Sequence, residues 1–366
     1  MSTLKIETLT PVHVGSGNLL YNNTDFVEAK IKGKDKYFLA IISEEKIWEL
    51  LGKREEHMNL WLTAISKREN IKEFIRRFIP DAKSSDYAKR KMKLFSSLGK
   101  TDTLKELIHN GMGYPYIPGS SIKGAIRTAV LASLVSGKQY PSAQKVEKEL
   151  FGQNPNNDIF RFLQVGDAYF EKGSEIAIRL INLNIRDSKE ELKDMSKSQL
   201  VETIGEKESA TFQLKFAQNH YQLFAAQNNR HPMILPIKEI QTIESLFHLI
   251  NTHTLKLVAE EIEIWKKVEK TEGKSYVKNM ESIKKEIEAC ADGKSCILRI
   301  GHASGWRFIT GAWTETLSNF QSDIVPVSRR DKGNYKYQGY PFPKTRRLDE
   351  GDYLLGFVKL SVPNDK

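Results

Sequence analysis

With 366 residues, the chain exceeds one ordinary domain and suits two of moderate size, each able to bury a core. Its 56 Lys and Arg against 46 Asp and Glu leave a net charge of +10, which favours a polyanionic partner. Cys290 and Cys296 match neither a zinc pair nor a disulfide framework, the apolar run 129–135 is short and broken by Ser133, and the opening MSTLKIETLT lacks a signal-peptide core; a reducing, cytoplasmic setting without membrane insertion is expected.

Leu4, Ile6 and Leu9 begin a strand that runs into the turn His13-Val14-Gly15-Ser16-Gly17, and 26–31 and 37–42 read as further strands of a small sheet. Residues 43–109 then show helical spacing, with Ile47, Leu50 and Leu51, then Leu60, Trp61, Ala64 and Ile65, then Ile71, Phe74, Ile75 and Phe78, and read as a helical insertion. The run Lys89-Arg90-Lys91 with Lys93 is open to two readings, a solvated face or an RNA-facing ridge. Gly119-Ser120-Ser121 supplies turn and N-cap chemistry ahead of Ile122, Ala125, Ile126, Ala129, Val130 and Leu134, which predicts a helix. Strands are expected at 160–170, 175–185 and 211–216, around a charged stretch, 186–208, read as a surface loop or short helix. Helical periodicity returns over 236–289; a strand at 296–300, a helix at 306–317 and a closing strand at 353–362 complete the chain. Strand, helix and strand in both halves predict two α+β domains, 1–158 with the insertion 43–109 and 159–366 with the insertion 236–289.

Three clusters carry the functional reading. Lys123 and Arg127 stand four residues apart beside the helix start, where a phosphate held by the amides of Gly119, Ser120 and Ser121 would reverse the unfavourable sign of two cations near a positive dipole end; an ordinary basic helix face is the competing reading. In Arg299-Ile300-Gly301-His302-Ala303-Ser304-Gly305-Trp306-Arg307, glycines permit close backbone approach, arginines supply charge, and Trp306 or His302 could stack on a base; Trp306 as a core residue is the alternative. No Walker-type lysine run accompanies these glycines, which argues against nucleotide hydrolysis. Last, Arg329, Arg330, Lys332, Lys336, Lys344, Arg346 and Arg347 face a single acid, Asp331, with Tyr335, Tyr337, Tyr340 and Phe342 interleaved, a composition suited to single-stranded RNA.

These motifs together resemble the RAMP superfamily of CRISPR proteins: His13-Val14-Gly15-Ser16-Gly17 after the first strand, Ile117-Pro118-Gly119-Ser120-Ser121-Ile122-Lys123-Gly124-Ala125-Ile126-Arg127-Thr128 at a helix start, and the late glycine turn. Phe342-Pro343-Lys344-Thr345-Arg346-Arg347 and Gly356-Phe357-Val358-Lys359-Leu360 are most similar to the fifth-subunit family of the Csm (type III-A) complex. The resemblance implies two RRM-like (ferredoxin-like) domains and a non-catalytic subunit that binds CRISPR RNA, caps the backbone filament at the guide 3′ side and supports guide maturation. Implied partners are neighbouring RAMP backbone subunits, small helical subunits and a recruited host nuclease. Implied RNA contacts are His13, Gly15 and Gly17, the Gly119 to Arg127 helix start, the glycine turn, and Lys344, Arg346 and Arg347. No cofactor, metal ligand or catalytic residue is assigned. Asp25 lies where a neighbouring backbone subunit carries its cleaving aspartate, but Asn22-Asn23-Thr24 and Phe26 do not reproduce that pattern. Two rival readings stay open: a metal-independent RAMP endoribonuclease with His13 as general acid or base and Lys123 stabilising charge, and a subunit of the type III-B complex.

Overall fold

A computed structural model describes all residues except 1, 31–36, 136–142, 186–190, 228–239, 241, 310, 329, 332–333, 336–341 and 364–366. The opening strand Ser2–Thr8 buries Leu4, Ile6 and Thr8 by period-two alternation and pairs antiparallel with Ser209–Phe216 on one side and Phe357–Ser361 on the other. Leu163–Val165 and Ser295–Arg299 extend this five-stranded sheet at its two edges. Taken in chain order, Ser2–Thr8, the helix Gly119–Val135, Leu163–Val165, Ser209–Phe216, the helix Ile243–Lys266 and Phe357–Ser361 form a βαββαβ unit whose four strands are mutually antiparallel neighbours, as in ferredoxin-like folds. Ile122, Ile126, Ala129 and Val130 on one helix, with Leu246, Phe247 and Ile250 on the other, join Leu4 and Ile6 in the largest core.

A second, eight-stranded sheet includes Gly15–Tyr21, Phe26–Lys30, Tyr37–Ile42, Ala88–Leu94, Thr103–Leu107, Glu175–Asn184, Lys193–Ile204 and Thr345–Asp349. The chain is thus α+β, consistent with two ferredoxin-like units, and each sheet takes strands from both sides of residue 158. Ser43, Asn70 and Thr242 cap their helices through side-chain oxygens, as their residue types favour. Among the described residues no helix is long and apolar enough to cross a membrane.

The structure corrects three sequence expectations about local structure. Helices fill 43–109 only as far as Tyr87; beyond it come the strands Ala88–Leu94 and Thr103–Leu107. Ala88, Met92 and Leu94 face inward between exposed Lys89, Lys91 and Lys93, so these three lysines form one side of a strand, while Arg90 turns to the other side and pairs with buried Glu202. The stretch read as a loop or short helix contains the strand Lys193–Ile204, with Glu202 and Thr203 buried by distant partners. The expected helix 306–317 is two short 3-10 turns, Trp306–Phe308 and Ala312–Thr316, interrupted at Gly311.

Candidate nucleic-acid interface

The first-strand turn, the late glycine turn and the start of the closing strand interlock. His302 N donates to the His13 carbonyl (2.8 Å), Gly356 N to the Pro11 carbonyl (2.9 Å), and Ile300 N to the Gly356 carbonyl (2.8 Å). Ser304, buried, donates its hydroxyl to the Gly301 carbonyl at 2.5 Å. Gly301 has φ +80°, and a Cβ there would lie 2.5 Å from the His13 carbonyl oxygen; only glycine admits this approach.

His13 is 1% exposed, and its Nδ1 lies 2.5 Å from the Glu202 carbonyl oxygen. A carbonyl only accepts, so Nδ1 carries the proton, and burial lowers the ring's pKa. The His302 ring meets His13 edge to face at 5.7 Å, and its Nε2 lies 2.9 Å from Arg347 Nη1. Arginine only donates, which makes His302 Nε2 the acceptor. Burial first, then the cations Lys105 and Arg347, lower the His302 pKa to about 4. The imidazole is therefore neutral near pH 7, and among the described residues Arg347 is held by this ring rather than by a carboxylate.

The other expected cations sit differently. Arg127 pairs with Asp158 (2.8 Å) and Glu147 (3.3 Å) and stacks on Phe151. Arg299 is buried between Phe308 and Phe357, with Nε donating to the Leu355 carbonyl. Arg307 reaches Glu260, Glu261 and Glu315. Arg346 is buried, with Nε 2.5 Å and Nη2 2.7 Å from Glu261. Trp306 packs against Phe320 and Phe342, favouring its reading as a packing residue. Gly119 donates its amide to Asp167 (2.7 Å), so a carboxylate of the chain itself caps this helix start, while Ser120 is exposed and Ser121 and Lys123 are half-buried. Gly15 and Gly17 are exposed at the head of their strand, and Asp25 accepts the Tyr21 amide within a turn. Lys344 and Thr345 precede Arg346, and Thr345 donates to Asn184. Tyr337, Tyr340, Arg329, Lys332 and Lys336 lie outside the described residues.

Of the expected contacts, the structure thus gathers His13, Gly15, Gly301, His302 and Arg347 at one place and adds Lys105, whose charge acts on both histidines. Lys105 stands alone among apolar and acidic neighbours in Thr103–Leu107, so nothing in the sequence marks it.

The RAMP superfamily pattern matches residues 5–293. The chain belongs to the RAMP superfamily. It is 26% identical over 206 residues to a Methanocaldococcus jannaschii protein named CRISPR system Cms protein Csm5, covering 51% of this chain and 47% of that protein. A Streptococcus thermophilus protein of the same name is 26% identical over 184 residues, covering 45% of this chain and 50% of the other. The matches span about half the length of these curated relatives. In fold, 99% of this RAMP chain superposes on all of one chain in a cryo-EM structure of a Csm-crRNA-target RNA ternary complex of a type III-A CRISPR-Cas system, with TM-score 0.67 and 18% identity. The crystal structure of T. onnurineus Csm5 matches 97% of the chain and 99% of its own length, with TM-score 0.64 and 20% identity. At these identities the likeness is one of fold.

The histidines make stability pH-dependent. His302 and His253 both have pKa values lowered to about 4, chiefly by burial, against 6.5 for the free side chain. Between those values the unfolded chain binds protons that the folded chain refuses, so stability falls as pH is lowered from 6.5 towards 4 and the loss levels off below. Asp349, raised to about 6 by burial, acts oppositely: the folded chain binds its proton more readily, adding stability as pH falls from 6 to 3.8. Urea unfolding across this range should show His302→Gln flattening the acid decline relative to the parent; an unchanged slope would disprove the neutral-imidazole assignment.

Proposed function

We propose that this RAMP protein is a CRISPR-RNA-binding subunit of a type III-A interference complex, which caps the backbone filament at the guide 3′ side and supports guide maturation without cutting RNA itself. Its partners on this reading are the guide, adjacent RAMP backbone subunits, small helical subunits and a recruited trimming nuclease. The observation that carries the reading is Arg347: beside a glycine turn, it is held by a neutral imidazole, with Lys105 nearby, so both charges remain available to phosphates. Superfamily membership and the names of the relatives support the same assignment. The rival endoribonuclease reading needs His13 at the RNA, and burial of that ring with Nδ1 committed to the Glu202 carbonyl speaks for the binding role.

The isolated protein should bind single-stranded RNA with little base preference. Its log affinity should fall linearly with log salt, by roughly 0.7 per neutralised phosphate. Arg347→Ala and Lys105→Ala should each weaken binding and make that slope shallower, with melting temperature unchanged. Fluorescence anisotropy over a salt series tests this; variants with the parent's slope and affinity would refute the interface.

A further inference from the structure

His109, Glu175 and Glu202 come together from three separate places in the chain, and their ligand atoms all lie within 4.8 Å of one another. His109 Nε2 is 3.1 Å from Glu175 Oε1 and 3.8 Å from Glu202 Oε1, and the three side chains are 10%, 3% and 0% exposed. His109 Nδ1 lies 2.8 Å from the Leu107 carbonyl oxygen, which can only accept, so that nitrogen carries a proton. The second nitrogen, Nε2, is thereby turned towards two carboxylate oxygens. Two buried carboxylates beside an imidazole call for positive charge at this point, supplied by a proton on Nε2 or by a metal ion.

We propose that His109, Glu175 and Glu202 bind a divalent transition metal, Zn²⁺ by the character of the donor set. A proton on Nε2 could serve Glu175 alone, because 3.8 Å to Glu202 is beyond a hydrogen bond. A metal uses all three donors: bonds of about 2.0 to 2.2 Å in a tetrahedron put donors roughly 3.4 Å apart, between the two separations seen. The surroundings are those of oriented ligands. The His109 ring is fixed through its second nitrogen by a backbone carbonyl, and Glu175 Oε2 accepts the Gly173 amide at 2.7 Å, leaving Oε1 towards the histidine. Glu202 is held by Arg90 at 2.7 and 2.8 Å and by the Leu107 amide at 3.1 Å. Arg90 and Lys89 pair with Glu202 and Glu106, and among the described residues Glu175 has no Lys or Arg partner, so its charge is met only at His109. The Glu202 carbonyl also accepts from His13, and Glu106 accepts from Ser16 and Asn18. The metal would thus pin the paired strands Glu175–Asn184 and Lys193–Ile204 to the segment just past Thr103–Leu107, a structural role independent of the RNA reading.

The test uses the full chain stripped with EDTA and titrated with Zn²⁺, and separately with Co²⁺, whose visible absorption reports its coordination. One ion per chain and a melting temperature raised by several degrees are expected for the parent. Loss of an outer-shell partner alone costs roughly 10-fold to 100-fold in affinity, so His109→Gln and Glu175→Gln should abolish binding at that stoichiometry. A parent shown folded by circular dichroism that binds neither ion, or variants that bind as the parent does, would overturn the proposal and leave His109 as an imidazolium paired with Glu175.

Discussion

Arg346→Met is expected to lower the free energy of unfolding by about 3 to 5 kcal/mol, the usual cost of removing one partner from a buried ion pair. Glu261 is wholly buried, and its two oxygens receive Arg346 Nε and Nη2, with the Tyr276 hydroxyl at 2.6 Å and Arg307 Nε at 3.2 Å. Burial opposes ionisation of Glu261; Arg346, Tyr276 and Arg307 overcome it and hold the carboxyl below the usual range. Without Arg346 the carboxylate keeps only part of that compensation. Replacing the pair together, as Arg346→Met with Glu261→Leu, should recover most of the loss, because the desolvation of both charges disappears with them. Urea unfolding measures both variants, with an unchanged m-value showing that the denatured state is the same. A single Arg346→Met variant that unfolds like the parent but loses RNA affinity would move Arg346 from the core to the RNA interface.

The contrast between Arg346 and its neighbour shows what the sequence could and could not disclose. A count of cations in 328–347 treats Arg346 and Arg347 alike, yet adjacent residues of a strand point to opposite faces. One is buried on Glu261 and the other faces His302. Helix Gly119–Val135 was legible from its apolar spacing, but its start was not: Gly119, Ser120 and Ser121 already lie in the helix, and the carboxylate that accepts the Gly119 amide, Asp167, is remote in sequence. Strand Lys193–Ile204 was hidden, since the partners that bury Glu202, namely Arg90 and the Leu107 amide, are remote in sequence. The same remoteness conceals His109, Glu175 and Glu202 from any search for metal-ligand spacing. Glycine positions were the better guide. Gly15 and Gly301 were singled out beside His13 and His302, and both glycines closely approach His13 in the fold.

Gly301→Ala is the second substitution expected to act strongly, and it reaches both stability and RNA binding. At φ +80° an alanine is strained by about 1 to 3 kcal/mol before any contact is considered. Its Cβ would also stand 2.5 Å from the His13 carbonyl oxygen, a backbone atom that cannot swing aside. Relief requires the two turns to separate, which breaks the bond from His302 N to that same carbonyl and carries His302 away from Arg347. Gly305→Ala supplies the control, because Gly305 has nearly the same φ, +82°, with open space around its Cβ position. The control should show the backbone term alone and keep the parent's RNA affinity, whereas Gly301→Ala should be less stable than the control and bind RNA more weakly. If Arg347 acts through the position that His302 gives it, Arg347→Ala should cost less affinity in the Gly301→Ala background than in the parent. Equal stability of the two glycine variants would mean that the turns are not locked together at Gly301, and full additivity with Arg347→Ala would mean that His302 does not set the guanidinium's place.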